Sequence, residues 1–144
     1  MSGYKGSTFC NDWLNLVFKG TGIANIADNA ASSPLASLYV ALHTADPTAS
    51  GSQTSSEISY TGYSRVAVTR GAGFTVTGSS VSPASSITFG AMTAGAGGTV
   101  TFFSVGTSSS GAGKILYAGP VSPTISVTTG VTPQLTGSTA CTEA

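Results

Sequence analysis

The residue best suited to catalysis in this 144-residue chain is its single histidine, His43, which lies three residues before Asp46. A Ser-His-Asp triad could in principle recruit one of the many serines to this pair. However, no G-x-S-x-G elbow is present to expose a serine, and the His43 segment leads directly into a turn. We therefore predict that His43 is a hydrogen-bonded residue at a strand end and that the chain has no catalytic residue.

The other patterns that could bind or transform a ligand also fail. The acidic residues never pair at short spacing, so no carboxylate dyad is predicted. Segment 106–114, GTSSSGAGK, has two glycines spaced as in a phosphate-binding loop, but Ala112 stands where that loop needs lysine. We predict a hairpin loop there. One histidine and two distant cysteines do not make a metal site, and we expect neither a metal nor a cofactor.

The two cysteines, Cys10 and Cys141, stand near opposite ends of the chain. One interpretation is a pair of free, partly buried thiols. The other is a disulfide, within the chain or between subunits, formed when the protein meets an oxidising environment. Both interpretations remain open at this point.

The composition favours a protein that packs against other proteins. Charged residues make up 7% of the chain, formal net charge is zero, and Gly, Ser and Thr account for 63 of the 144 residues. A neutral surface promotes association, because nothing repels neighbouring copies. The five basic residues are scattered, so we expect no nucleic-acid partner. We also expect no membrane partner, since neither a signal sequence nor an apolar span of ~18 residues is seen.

One helix is predicted at about residues 8–19, ended by Gly20. Its aromatic residues Phe9, Trp13 and Phe18 cover more than one face. They serve either as core packing or, in part, as an interface that anchors the subunit to a partner.

The remainder predicts a mainly β fold. Short apolar runs alternate with turn signals, which is typical of a β-sandwich or a jelly-roll-like barrel. We predict a single β domain over residues 1–144, with the sandwich at about 35–131 and an extended tail at about 136–144. The predicted strands are 35–42, 63–69, 73–78, 85–92, 98–107, 114–121 and 124–130.

Two motifs carry a resemblance to a known family. They are LYVALHTADPT at 38–48 and Gly-Tyr-x-Arg-Val at 62–66, and the second half continues it through the strand at 113–121. From about Phe9 to Val131 the sequence resembles a family of small tailed-bacteriophage virion proteins, tail-fibre-like or head-decoration proteins. The family usually closes with Gly-Asp and a further apolar strand, whereas here Gly130 is followed by VTPQLTGSTACTEA.

The resemblance implies a structural role and supplies no catalytic motif. We expect a non-enzymatic virion protein, assembled in the host cytoplasm, that decorates or cements the phage head or sits at its collar. The expected partners are further copies of the chain in a homo-oligomer and the capsid, collar or tail proteins. The alternatives are a tail-fibre or baseplate component, or a host-glycan-binding module that uses Tyr60, Tyr63 or Tyr117.

Overall fold

Three antiparallel sheets and one N-terminal helical segment make up the part of the chain that a computed structural model describes, residues 7–23 and 35–143. The helix α1 spans Ser7–Leu14. The strands are β1 (Ser37–His43), β2 (Val66–Thr69), β3 (Phe74–Thr77), β4 (Ser80–Pro83), β5 (Ile87–Thr88), β6 (Gly98–Gly106), β7 (Ile115–Val127), β8 (Gln134–Leu135) and β9 (Cys141–Thr142). The mainly β fold with one N-terminal helix is confirmed, and the sheets are open rather than closed into a barrel.

The helical segment has two parts. After α1 the chain continues as a wider π-helical turn, Asn15–Lys19, and ends at Gly20, whose φ of 71° is the left-handed conformation that glycine adopts freely. The N–H of Gly20 donates to the carbonyl of Asn15. The glycine signal in the sequence therefore marks the correct end of the segment.

The largest sheet has the strand order β2-β1-β6-β7. Strand β1 lies inside this sheet with Leu38, Val40 and Leu42 buried, which explains its almost continuous apolar sequence. Strand β7 lies at the edge and runs through the region where we predicted two strands, 114–121 and 124–130. It tolerates Pro120 and Pro123 because an edge strand needs only one side of its backbone for pairing.

Two smaller sheets, β3-β4-β9 and β5-β8, complete the fold. Strands β4, β8 and β9 were not predicted, because each has few residues and little apolar alternation. The strand predicted at 85–92 is reduced to Ile87–Thr88, after which the N–H of Phe89 bonds the carbonyl of Pro133. Near the C-terminus, Cys141 of β9 pairs with Val81 of β4, so the segment predicted as a tail adds a strand to a sheet.

All three sheets and the helix contribute to one core. Phe18 packs edge-on against Phe74 with ring centroids 4.8 Å apart, and it lies 5.2 Å from the ring of Tyr117. The apolar cavity that remains between the sheets is about 20 Å³. It has room for about one water molecule and no polar partners to hold it. This cavity is therefore too small and too apolar to hold a ligand.

Candidate functional site

The polar residues that could do chemistry are concentrated in a buried cluster. Among the described residues, the buried polar or charged ones are His43, Gln53, Arg65 and Ser104. No buried side-chain nitrogen or oxygen among them lacks a hydrogen-bond partner. We call these four residues, with Glu57 and Tyr63 beside them, the polar cluster.

Arg65 and Glu57 form the ionic centre of this cluster. The guanidinium makes a two-pronged contact with the carboxylate, from Nε to Oε1 at 2.7 Å and from Nη2 to Oε2 at 2.8 Å. Arg65 Nη1 donates to the carbonyl oxygen of Ser108 at 3.0 Å, and Nη2 also donates to that of Gly111 at 2.7 Å. The hydroxyl of Tyr63 donates to Glu57 Oε1 at 2.9 Å. Arg65 thus ties the Glu57 loop to the β6–β7 connection.

His43 lies at the end of β1 and is hydrogen-bonded on both ring nitrogens. Nδ1 is 2.8 Å from the carbonyl oxygen of Ser55, which can only accept, so Nδ1 carries the proton. Nε2 then accepts from the hydroxyl of Ser104, also at 2.8 Å. Both side chains are fully buried, and the exposed Asp46 bonds the N–H of Thr48. The arrangement gives Ser104 no path to a substrate and His43 no carboxylate to orient it.

We expect the protein to lose stability in mild acid because of His43. Burial lowers the pKa of His43 below its ordinary value of 6.5. In the range below 6.5 the unfolded chain therefore binds a proton that the folded chain does not. The free energy of unfolding should fall with decreasing pH there, by up to about 1.4 kcal/mol per pH unit. The midpoints of urea unfolding at pH 7.5 and pH 5.5 measure this loss of stability.

The matched comparison is His43→Gln, which removes the only histidine while an amide can still donate and accept. Its midpoint should change much less between the two pH values. Equal pH dependence of the variant and the natural chain would show that His43 is not the group responsible.

Segment 106–114 forms the hairpin connection that its sequence predicts. The N–H of Thr107 bonds the carbonyl of Lys114 at 3.1 Å. Gln53 holds this loop in place with two hydrogen bonds. Its backbone N–H donates to the carbonyl of Gly113, and its side-chain oxygen accepts from the N–H of Ser108. The loop is followed by strand β7 rather than a helix, so it lacks the helix N-terminus that completes a phosphate site.

The three tyrosines considered for glycan stacking are engaged within the chain. Tyr60 is 8% exposed and its hydroxyl donates to the carbonyl of Gly90. The ring of Tyr63 packs between Tyr60 and Phe89, at centroid distances of 5.3 and 6.2 Å. Tyr117 is half-buried and bonded through its hydroxyl. Packing therefore accounts for Tyr60 and Tyr63, and an exposed stacking role for them is not supported.

Exposed apolar side chains lie on the helix and on the chain before β1. Among the described residues, the large apolar ones that are exposed are Trp13, at 39%, and Leu35, at 44%. Trp13 Nε1 donates to the Tyr117 hydroxyl at 2.9 Å, and that hydroxyl donates to Glu143 Oε2 at 2.9 Å. An exposed tryptophan held in one orientation loses little entropy on binding, which makes it a suitable interface anchor.

A shallow groove begins at Leu16 and Val17, three and four residues after Trp13. It has a volume of about 250 Å³, is open to solvent, and is lined by Leu16, Val17, Leu35, Leu38, Arg70, Thr107 and Leu116. Trp13, Leu16 and Val17 are three and four residues apart, so they share one side of the helix. We call this surface, Trp13 with the groove, the helix face. The structure thus brings Leu16 and Val17 together with residues from β1, β7 and the chain before β1, and it bonds Trp13 to Tyr117 of β7.

The other two aromatic residues predicted for the interface behave differently. Phe18 is 1% exposed and packs within the chain's own core, which agrees with the core-packing alternative for this residue. The side chain of Phe9 lies outside the described residues.

Arg70 is a residue of the helix face that the sequence did not reveal. Its guanidinium donates to the carbonyls of Val17 at 2.7 Å, Leu35 at 3.0 Å and Leu16. The carbonyls of Leu16 and Val17 lie near the end of the helical segment, where the last carbonyl groups have no N–H donor within the helix. The contact joins residues 53 and 54 positions apart, so no local sequence signal could have indicated it.

Both cysteines are free thiols in the structure. Cys10 is 4% exposed, and burial raises the pKa of Cys141 to about 11. Cys141 is therefore a poor nucleophile at neutral pH, and Cys10 is shielded from reagents by burial. A disulfide stays a prediction, and a bridge between subunits through Cys10 would require the helix to open.

Two further findings concern the described residues as a whole. None of their helices is long and apolar enough to cross a membrane. Within the same residues, no three His, Cys, Asp or Glu side chains come together in a way that could hold a metal ion.

These features define a class of protein: a small, mainly β packing unit whose buried polar groups hold loops and whose helix face is exposed and apolar. The family model described as podophage GP4 fiber I protein gp80 matches residues 7–139. Because this match spans most of the chain, the chain belongs to that family of small tailed-phage virion proteins. The description supports a fibre-type virion protein. No curated protein matches the chain.

Proposed function

We propose that this chain is a non-enzymatic structural subunit of a tailed-phage particle, of the fibre type, and that it attaches to other virion subunits through the helix face. The observation that carries the proposal is Trp13, exposed and held in place by Tyr117 on an apolar surface. An aromatic anchor of this kind typically supplies much of the binding energy of a protein interface.

The polar cluster supports the non-enzymatic part of the proposal. Arg65 and Ser104 are buried, and their hydrogen bonds go to groups of the chain itself. Catalysis requires groups that can reach a substrate within hydrogen-bond distance. Here the same residue types hold loops together.

The position on the particle is the finer part of the proposal. The family description names a fibre protein, which supports a tail-fibre position at least as well as head decoration, cementing or a collar position. We favour the tail, with assembly in the host cytoplasm before release. Antibody labelling of intact particles, or a particle reconstruction with the chain traced, distinguishes these positions. Density for the chain on the capsid lattice would overturn the tail assignment.

We expect Trp13→Asp to reduce incorporation of the chain into particles about tenfold or more. Loss of a central aromatic anchor costs at least about 2 kcal/mol in typical interfaces, and a buried carboxylate adds to that loss. Quantitative mass spectrometry of purified particles, relative to the major capsid protein, gives the copy number. The matched control is Thr129→Asp, at an exposed turn position away from the helix face. Full incorporation of a folded Trp13→Asp variant would contradict an interface at the helix face.

A further inference from the structure

Two charged residues near the helix face have no ionic partner among the described residues. Asp12 precedes Trp13 in α1, is half-buried, and makes no hydrogen bond or ion pair with another described group. Arg70 donates to three carbonyl oxygens and contacts no carboxylate in the part of the chain that the structure describes. Both charges would gain from an ionic partner supplied from outside the chain.

Arg70 has the donors to accept such a partner. A guanidinium carries five N–H groups, and one each from Nε, Nη1 and Nη2 is used by the carbonyls of Val17, Leu35 and Leu16. One N–H therefore remains on each terminal nitrogen. Arg70 also lines the groove among apolar side chains, and a partner that covers the groove would exclude water and so strengthen an ion pair there.

The acidic and basic groups lie at opposite ends of the same surface. Asp12 is four residues before Leu16, and Trp13 is four residues before Val17, so both pairs follow the helix axis. The Arg70 guanidinium sits at the carbonyls of Leu16 and Val17, one turn beyond Asp12. The surface therefore carries an anion and an indole at one end, and a cation and an apolar groove at the other.

A surface with this order of groups is complementary to itself. If two copies meet with their helices antiparallel about a two-fold axis, each Asp12 comes beside the other copy's Arg70. Each Trp13 then lies over the groove of the other copy. A two-fold contact forms every favourable pair twice, which is why closed two-fold dimers are the commonest assemblies.

We propose that the occupant of the helix face is a second copy of this chain, held by Asp12–Arg70 ion pairs and by Trp13 in the groove. This inference rests on the proposed structural role, because it names the partner that binds the helix face. The zero net charge of the chain supports it, since two copies approach without long-range repulsion.

The test is self-association of the purified full-length chain, measured by sedimentation equilibrium over a range of concentrations. We expect a dimer for the natural chain. Asp12→Lys should weaken the dimer roughly tenfold or more, because each contact then sets a cation against Arg70. The matched control is Asp46→Lys, with the same charge change at an exposed site that bonds only Thr48. It should change the dissociation constant less than about threefold.

A compensating change tests the charge pairing without altering Arg70, which also supports the helix. Leu35 is exposed and its carbonyl accepts from Arg70, so Leu35→Glu places a carboxylate near the guanidinium. Each single variant should dimerise weakly. The double variant Asp12→Lys/Leu35→Glu should dimerise more tightly than Asp12→Lys, because the introduced lysine of one copy then meets the introduced acid of the other. Circular dichroism and urea unfolding establish that all variants fold.

A natural chain that stays monomeric, or that forms a closed trimer, would overturn the two-fold pairing. Dimerisation unaffected by Asp12→Lys would overturn the ion pair. These outcomes are separate from failure of the proposed function. If the chain is monomeric yet Trp13→Asp is excluded from particles, the helix face binds another virion protein and the second copy is the wrong occupant. If Trp13→Asp enters particles normally, the structural role of the helix face fails instead.

Discussion

Arg65→Met is expected to lower the free energy of unfolding by about 3–5 kcal/mol, the usual effect of removing one partner from a buried ion pair. The Arg65 side chain is 2% exposed and that of Glu57 is 16% exposed. The variant leaves Glu57 charged without a cation and the carbonyl of Ser108 without its donor, while the carbonyl of Gly111 keeps only the N–H of Gly113. With a typical urea dependence, the midpoint should fall by about 2 M.

Two companion variants separate the ion pair from other effects of the substitution. Lys114→Met removes an exposed cation and should change stability by less than about 0.5 kcal/mol. Glu57→Gln/Arg65→Met removes both charges and should be less destabilised than Arg65→Met alone. If Arg65→Met unfolds at the same urea concentration as the natural chain, the ion pair is not what fixes the β6–β7 connection.

Gly62→Ala is expected to be destabilising by about 2–6 kcal/mol, since two separate costs add there. Gly62 has a φ of 104°, which costs a side-chain-bearing residue about 1–3 kcal/mol. A Cβ on Gly62 would also lie 2.2 Å from the carbonyl oxygen of Ala91. The backbone would have to shift, and the neighbouring hydrogen bonds that Thr61 makes with Ala94 and Thr93 would be strained.

The control for this prediction is Gly130→Ala. Gly130 has a similar φ of 89°, but a Cβ there meets no atom within 4 Å. It should therefore show only the conformational cost, about 1–3 kcal/mol. Urea unfolding of the two variants measures the difference in their free energies of unfolding, which is the cost of the contact with the Ala91 carbonyl. Equal losses for both variants would show that the contact with Ala91 relaxes without cost.

These predictions give a physical meaning to the Gly-Tyr-x-Arg-Val motif. Gly62 lets one loop cross another, while Tyr63 and Arg65 both bind the carboxylate of Glu57. The side-chain contacts of the motif lie inside the chain. The motif therefore holds the fold of this chain together, and the partner surface that we propose lies elsewhere, at the helix face.

The sequence alone determined the features that depend on neighbouring residues. The spacing of apolar residues and Gly20 predicted the helical segment, and the apolar run at 35–42 predicted a buried strand. The glycines and serines of 106–114 predicted a hairpin. Helices, strands and tight turns follow from backbone preferences over a few residues, so a local pattern is sufficient to indicate them.

The tertiary structure decided what depends on distant residues. It paired β9 with β4, placed Phe18 in the core while leaving Trp13 exposed, and brought Arg70 to the end of the helical segment. Each of these outcomes joins residues more than 50 positions apart or depends on which side of the helix meets a sheet. The helix face is assembled from such contacts, so the sequence named Trp13 as a candidate but not the groove and the cation beside it.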